Sequence, residues 1–542
     1  MTDVPRRAAA STADTGSLEP TAAIAATPHF LASSAAINVI ERGGNAVDGA
    51  IAANAVLGVV LPDTCGIGGD LFALVHRTGA EAPAALNASG RCGAGWSAAG
   101  LRSQGLIEIP IDSPASVTVP GCVDGWLALL DRYGTLPLST ILAPAIGIAE
   151  GGFPVSTELA ASLARLRDGI GSQLSAAALY PDGDPPAANT TLTRPDLAST
   201  LRHISEEGRD AFYRGRMAEA IIEATDDGIT QLDLDQPQAE WIEPVGTTVF
   251  GMQGWTIPPN SQGYLTLAAA WIFQELDPPR DPEDPAFHHA LVEAYRSVAW
   301  ERDDLVSDAT TAPLPPAVLV DPTRLRERVD RLSMTTAASW PRPSAAPGGT
   351  AYFCVRDGSG MGVSFIQSNY HGIGARISAG DTGVFLHDRG AGFNLVPGHP
   401  NELQPGRRPL HTLSPTLWTR DGDLQLLLGT RGGQYQPQTL LQVAANRFWA
   451  GMDSRTAQER PRWQLDGLQV DHAPELLVES RMSPGVVSGL ESRGHRVSTA
   501  GPWMAGWGPV SMIEADATGA RGVADPRVST TDIASRRPSL LE

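Results

Sequence analysis

Cysteine, basic charge and long apolar runs are all scarce in this chain, and each scarcity removes a class of explanation. Only four cysteines, Cys65, Cys92, Cys122 and Cys354, stand far apart in 542 residues. No CxxC pair occurs, so the commonest cysteine metal motif is missing and the four read as buried free thiols. Lys and Arg number 40 against 60 Asp and Glu, a net charge of −20. That balance argues against nucleic acid or an anionic membrane as partner. No stripe of alternating aromatic and basic residues is present, and no uninterrupted run of 18 apolar residues reads as a membrane span. Arg6 and Arg7 are followed by small and polar residues, not by an apolar stretch, so no secretory signal is read. The expectation is a cytoplasmic protein with a disordered tail over residues 1–21.

What is present is glycine and proline in quantity, 57 and 43 residues, which predicts many tight turns. The run Pro347-Gly348-Gly349-Thr350 is followed at once by the apolar, aromatic-rich Ala351-Tyr352-Phe353-Cys354-Val355, which reads as a buried strand. A threonine opening such a strand has two readings. One is ordinary turn chemistry. The other is a nucleophile exposed when the Gly349–Thr350 bond is cut. A new N-terminal threonine carries a hydroxyl and an α-amine of pKa about 7.7–8.0. The amine can take the hydroxyl proton near neutral pH, so one cleavage supplies nucleophile and base together.

Elsewhere the pattern predicts a helix from Thr27-Pro28 to Gly43, capped by Thr27, and a second helix capped by Asn45 and running to about Val60. The second is apolar on nearly every side and belongs inside the fold. Strands are predicted over Leu71–Val75, Ala351–Val355, Met361–Gln367, Gly383–Leu386 and Leu424–Leu428, and a long helix from Tyr264 to Leu276. The glycines Gly66, Gly68 and Gly69 follow a helix and precede a strand, without a Lys-Ser/Thr pair, which makes a poor match to a phosphate loop. His288, His289 and Glu293 lack metal spacing and read as a surface helix. Residues 313–347 are rich in Pro, Arg, Ser and Ala and read as a flexible tether ending at the cut. Trp449, Trp463, Trp503 and Trp507 read as packing residues. The pattern alone supports an α+β chain.

Three separated blocks resemble the gamma-glutamyltranspeptidase family of N-terminal-nucleophile hydrolases. They are Arg42 to Asp48 through Cys65 to Asp70; Thr350 to Asp357, continuing to Gln367-Ser368-Asn369; and Arg408-Pro409-Leu410-His411-Thr412 to Thr416, followed by Gly429-Thr430-Arg431-Gly432-Gly433. The resemblance covers nearly the whole chain after about Ala22. It implies an αββα four-layer sandwich, two stacked antiparallel sheets flanked by helices. It also implies autocleavage between Gly349 and Thr350 into a large subunit over 22–349 and a small subunit over 350–542. These would form one intertwined heterodimer, with any higher oligomer left open. No metal and no organic cofactor is implied.

Residue by residue, the resemblance makes Thr350 the nucleophile and puts Ser368 where a second threonine bonds the nucleophile's amine. It makes the Gly432 and Gly433 N–H groups the oxyanion donors. On the substrate side, Arg91 lies about two positions beyond the family's carboxylate-binding arginine, with Ser89 at the matching place. Asn369 stands one position before the family's asparagine. His411 and Thr412 replace paired serines, and Gly392 replaces the aspartate that holds a γ-glutamyl α-amine. Arg389 and Arg431 bring positive charge instead. A site that loses a carboxylate and keeps arginines favours a small anionic acyl group, as in the cephalosporin acylase and oxamate amidohydrolase branches. The expectation is therefore an amidohydrolase on an amide of a small anionic acid. The alternatives are a true glutathione hydrolase or transpeptidase, a carbon–carbon bond hydrolase of antibiotic biosynthesis, and a non-catalytic binding homologue.

Overall fold

A computed structural model of the chain describes residues 23–339, 349–466, 475–516 and 519–536. The expected tail over 1–21 and the last part of the Pro-rich tether, residues 340–347, lie outside these residues. Two antiparallel sheets dominate. The larger runs in the order Asp532–Arg536, Ala23–Thr27, Gly349–Asp357, Gly362–Tyr370, Asp70–His76, Ala84–Ala88, Glu240–Ile242. The smaller runs Ala520–Val523, Val510–Ala515, Asp423–Thr430, Thr416–Arg420, Met252–Thr256, Val245–Val249. Each sheet takes strands from both sides of the Gly349–Thr350 bond, so the two parts of the chain are interleaved within single sheets.

Strand alternation sorts the side chains into layers. Ile24, Phe72, Leu74, Tyr352, Cys354 and Ile366 meet Leu417, Leu427 and Ile513 of the other sheet in one buried cluster. Their odd-numbered neighbours Leu71, Ala73, Phe353, Val355 and Phe365 pack instead with the Ala46–Val60 helix. On the far side, the Tyr264–Glu275 helix covers the smaller sheet through Val245, Met252, Trp418 and Leu428. Helix, sheet, sheet and helix stack in the four layers expected. The Ala46–Val60 helix is buried at every residue, as its unbroken apolar sequence requires, and Asn45 caps it in a reciprocal capping box with Asp48.

Several local expectations change. Thr27 ends the first strand, and His29 caps the first helix instead, its Nδ1 accepting the Leu31 N–H, so the helix is Phe30–Glu41. Gly383–Leu386 forms no strand; a single bridge pairs Ser378 with Phe385. The helix Pro285–Ala299 is not on the surface, for His288, His289 and Glu293 are all buried in it. Part of the tether is ordered as the short helices Pro316–Leu319 and Pro322–Val329. Trp449, Trp463 and Trp507 are buried, whereas Trp503 is 41% exposed beneath the Arg481 guanidinium. All four cysteines are buried and free.

Candidate active site

Thr350 continues the row Thr350, Tyr352, Cys354 that faces the smaller sheet, because alternate residues share a face. It is buried at 3% exposure. The next strand extends past its expected end to Tyr370, which brings Ser368 into the sheet and onto the same face. Ser368 in turn stands directly opposite Asp70 on the third strand. Three adjacent strands therefore carry Thr350, Ser368 and Asp70 side by side at one end of the space between the sheets.

The groups around the Gly349 carbonyl are close. The Thr350 hydroxyl donates to the Gly349 oxygen at 2.7 Å, and the Ser368 hydroxyl donates to the same oxygen at 2.6 Å. Thr350 Oγ1 lies 3.4 Å from Ser368 Oγ. The Tyr370 N–H donates to Ser368 Oγ at 2.7 Å and fixes its orientation. That N–H is available because the pairing register shifts between Gln367 and Tyr370, where Tyr370 takes φ 74°.

The glycine turn is brought over from the smaller sheet. Gly429 sits against the Tyr352 ring so closely that a Cβ there would lie 2.2 Å from it. The chain then turns at Gly432 and Gly433, with φ of 123° and 55°, backbone that side-chain-bearing residues adopt only with strain. A Cβ on Gly432 would meet nothing closer than 3.9 Å, so the turn borders open space. Their N–H groups open the turn leading into the Gln436–Ala444 helix, where first-turn donors have no intrahelical acceptor.

Beside them is a buried polar cluster that the sequence reading did not assemble. Asp70 Oδ2 accepts Arg389 Nε–H at 2.7 Å and His411 Nε2–H at 2.7 Å, and His387 Nδ1 lies 3.4 Å away. Arg389 Nη1 donates to Thr412 Oγ1 at 3.3 Å, and the guanidinium carbon lies 3.9 Å from the centre of the Tyr370 ring. Gln262 Nε2 donates to the carbonyls of both Thr412 and Gly433, and Arg302 Nη1 bridges the side-chain oxygens of Gln262 and Gln434. Burial alone would raise the Asp70 carboxyl. The Arg389 charge and the histidine donors overcome it and hold the carboxyl well below its ordinary range. His411 is pushed down to about 4, by burial first and by the Arg389 charge second. Its Nδ1 accepts the Leu413 N–H, so it is the neutral Nε2–H tautomer.

The remaining sequence candidates are placed elsewhere. Arg91 is partly exposed and engages Glu240 and the Gly406 carbonyl. The guanidinium that reaches Ser89 belongs to Arg408, 3.4 Å from Ser89 Oγ, and it is buried. Asn369 points to the opposite face of its strand from Ser368, against Gly66 and Gly69. Arg431 donates to the carbonyls of Ala505 and Gly508. His411 and Thr412 do join the cluster, but as partners of Asp70 and Arg389. Among the described residues no group of three or more His, Cys, Asp or Glu side chains is placed to hold a metal ion, and no helix is long and apolar enough to cross a membrane.

Comparison with known proteins agrees with this architecture. The family model described as Gamma-glutamyltranspeptidase matches residues 32–535. A glutathione hydrolase-like proenzyme of Bacillus subtilis (strain 168), YwrD, is 34% identical over 507 residues, 92% of this chain and 96% of that protein. The oxamate amidohydrolase proenzyme of Klebsiella pneumoniae is 33% identical over 518 residues, 93% of this chain and 97% of its own. The crystal structure of a cephalosporin acylase from Bacillus halodurans superposes with a TM-score of 0.89 at 30% identity, covering 98% of this chain and 99% of that one. The chain is an enzyme of the gamma-glutamyltranspeptidase family.

Proposed function

We propose that this enzyme matures by cutting its own Gly349–Thr350 bond and then hydrolyses amides of small anionic acids through an acyl-enzyme on Thr350. The observation that carries the proposal is the pair of hydroxyls on the Gly349 carbonyl oxygen. Attack by Thr350 Oγ1 on the Gly349 carbonyl carbon puts negative charge on that oxygen, where Ser368 already donates. Collapse breaks the C–N bond, the nitrogen takes a proton, and an ester links Gly349 to Thr350. Water then hydrolyses the ester, leaving a Gly349 carboxylate and a Thr350 free amine. The products are fragments 1–349 and 350–542, which the shared sheets hold together as a heterodimer.

In turnover the Thr350 amine takes the hydroxyl proton and Oγ1 attacks the substrate carbonyl. The Gly432 and Gly433 N–H groups, brought near by the contact of Gly429 with Tyr352, serve the oxyanion. The amine leaves with a proton and water releases the acid. Selection of an anionic acyl group is assigned to Arg389, the buried guanidinium held by Asp70, which stands opposite Ser368. Among the described residues its Nη2 has no hydrogen-bond partner although it is buried. A guanidinium N–H left over in this way suits a carboxylate. The oxamate amidohydrolase and cephalosporin acylase likenesses support the amide class.

The test is a panel of chromogenic amides, oxalyl, succinyl, glutaryl and γ-glutamyl, offered to the matured enzyme and to Thr350→Ala. The expected result is hydrolysis of at least one diacid monoamide with a kcat/KM well above that of the γ-glutamyl amide, and none by Thr350→Ala. A clear preference for the γ-glutamyl amide would overturn the substrate assignment.

A further inference from the structure

Arg389, the group assigned to the anion site, makes its one ion pair among the described residues with Asp70, a residue to which the family resemblance gave no role of its own. Asp70 stands opposite Ser368 on the neighbouring strand, about two strand spacings or ~10 Å from the Thr350 strand. Its Oδ2 takes the Arg389 Nε–H. Thr412 takes Nη1, and the Tyr370 ring lies under the guanidinium plane. Thr412 is tied through Gln262 to Gly433. The guanidinium is thus held between the Ser368 strand and the glycine turn, with Nη2 buried and without a hydrogen-bond partner among the described residues. The second donor to Oδ2, His411, has its ring fixed from behind by the Leu413 N–H, so the carboxylate cannot swing away from Arg389 without giving up both bonds.

We propose that Asp70 is the positioning residue for acyl-group selection: it orients Arg389 so that Nη2 presents one N–H to the carboxylate of a diacid monoamide. This rests on the reading of Arg389 given above. Among the described residues no hydrogen bond joins Asp70 to Thr350, and the role assigned to Asp70 runs through Arg389. An isosteric change that keeps its shape but removes its charge leaves Arg389 free to rotate and weakens discrimination, chiefly in KM.

The experiment is a double-variant cycle on the full chain, comparing wild type, Asp70→Asn, Arg389→Met and Asp70→Asn/Arg389→Met. Each is assayed on glutaryl-p-nitroanilide and on its neutral analogue with a carboxamide in place of the carboxylate. Discrimination is the ratio of the two kcat/KM values. The expected result is a loss of about 30-fold or more in Arg389→Met and about 10-fold or more in Asp70→Asn, with a rise in KM for the anionic substrate. The double variant should match Arg389→Met, because Asp70 has nothing left to position. If Arg389→Met loses discrimination while Asp70→Asn keeps it, the role of Asp70 is overturned and the anion site stands. If Arg389→Met keeps discrimination, the anion site itself fails. Asp70→Asn leaves a buried arginine unbalanced and is the variant most exposed to misfolding. The double variant removes both charges, so its recovery with the Arg389→Met ratio supports the inference. A double variant that is not recovered, or that discriminates less than Arg389→Met, overturns it.

Discussion

Replacing Ser368 by alanine should slow maturation far more than it unsettles the fold. The Gly349 carbonyl oxygen accepts hydrogen bonds from two hydroxyls, Thr350 at 2.7 Å and Ser368 at 2.6 Å. Once Thr350 Oγ1 becomes the attacking atom it no longer donates, and Ser368 is left as the side-chain donor to the developing oxyanion. Loss of one such donor costs about 100- to 1,000-fold in rate. The same change leaves the buried Tyr370 N–H without its acceptor, a stability cost of about 1–3 kcal/mol. Ser368→Thr keeps the oxygen and should mature within about tenfold of wild type. The assay follows disappearance of the intact chain by electrophoresis after rapid purification or cell-free synthesis, with denaturant midpoints measured in parallel. Wild-type maturation in Ser368→Ala, or equal slowing in Ser368→Ala and Ser368→Thr, would refute the reasoning.

Other consequences are independent of that one. Gly429→Ala puts a methyl group 2.2 Å from the Tyr352 ring, so the strands must part, and the denaturant midpoint should fall by the equivalent of about 1–3 kcal/mol; an unchanged midpoint would contradict the packing. Gly432→Ala, at φ 123°, should keep the fold by circular dichroism but lower kcat at least tenfold, since the turn is strained and its N–H groups move. Stability should fall as pH drops from about 6.5 to 4. His288 and His411 are held down to about 4 by burial, so between these values the unfolded chain binds protons that the folded chain refuses. Full stability is present above the unfolded value, and each ring contributes up to about 3 kcal/mol of the loss. Urea midpoints at pH 7 and pH 5 check this, and a midpoint that does not fall would count against the buried neutral rings.

The layered fold was legible because its signals are local. The fully apolar Ala46–Val60 helix and the alternating strand around Tyr352 each announce their environment within a few residues. Thr350, Ser368, Gly432 and Gly433 were legible as motif positions, and the structure supplies their geometry. The polar cluster was not, because its members are far apart in the chain. Asp70 meets Arg389 across 319 residues and His411 across 341. Asp70 looks like the end of a glycine-rich turn until its parity with Phe72 and Leu74 is noticed, which puts it on the face of Thr350. Asn369 illustrates the converse: one residue beyond Ser368, it is turned to the opposite face. Arg91 matched by proximity in sequence, whereas the guanidinium beside Ser89 comes from Arg408, a segment over 300 residues away. His29 displaced Thr27 as helix cap because the first strand runs as far as Thr27.

The central claim is that Thr350 becomes an N-terminal nucleophile. Its most direct test is intact mass and N-terminal sequencing of the purified protein beside Thr350→Ala. The account predicts two fragments from the wild type, the smaller beginning Thr350-Ala351-Tyr352, and a single 57.0 kDa chain from the variant. A wild-type chain that stays whole under conditions where it hydrolyses amides, or a Thr350→Ala chain cut at the same bond, would contradict it.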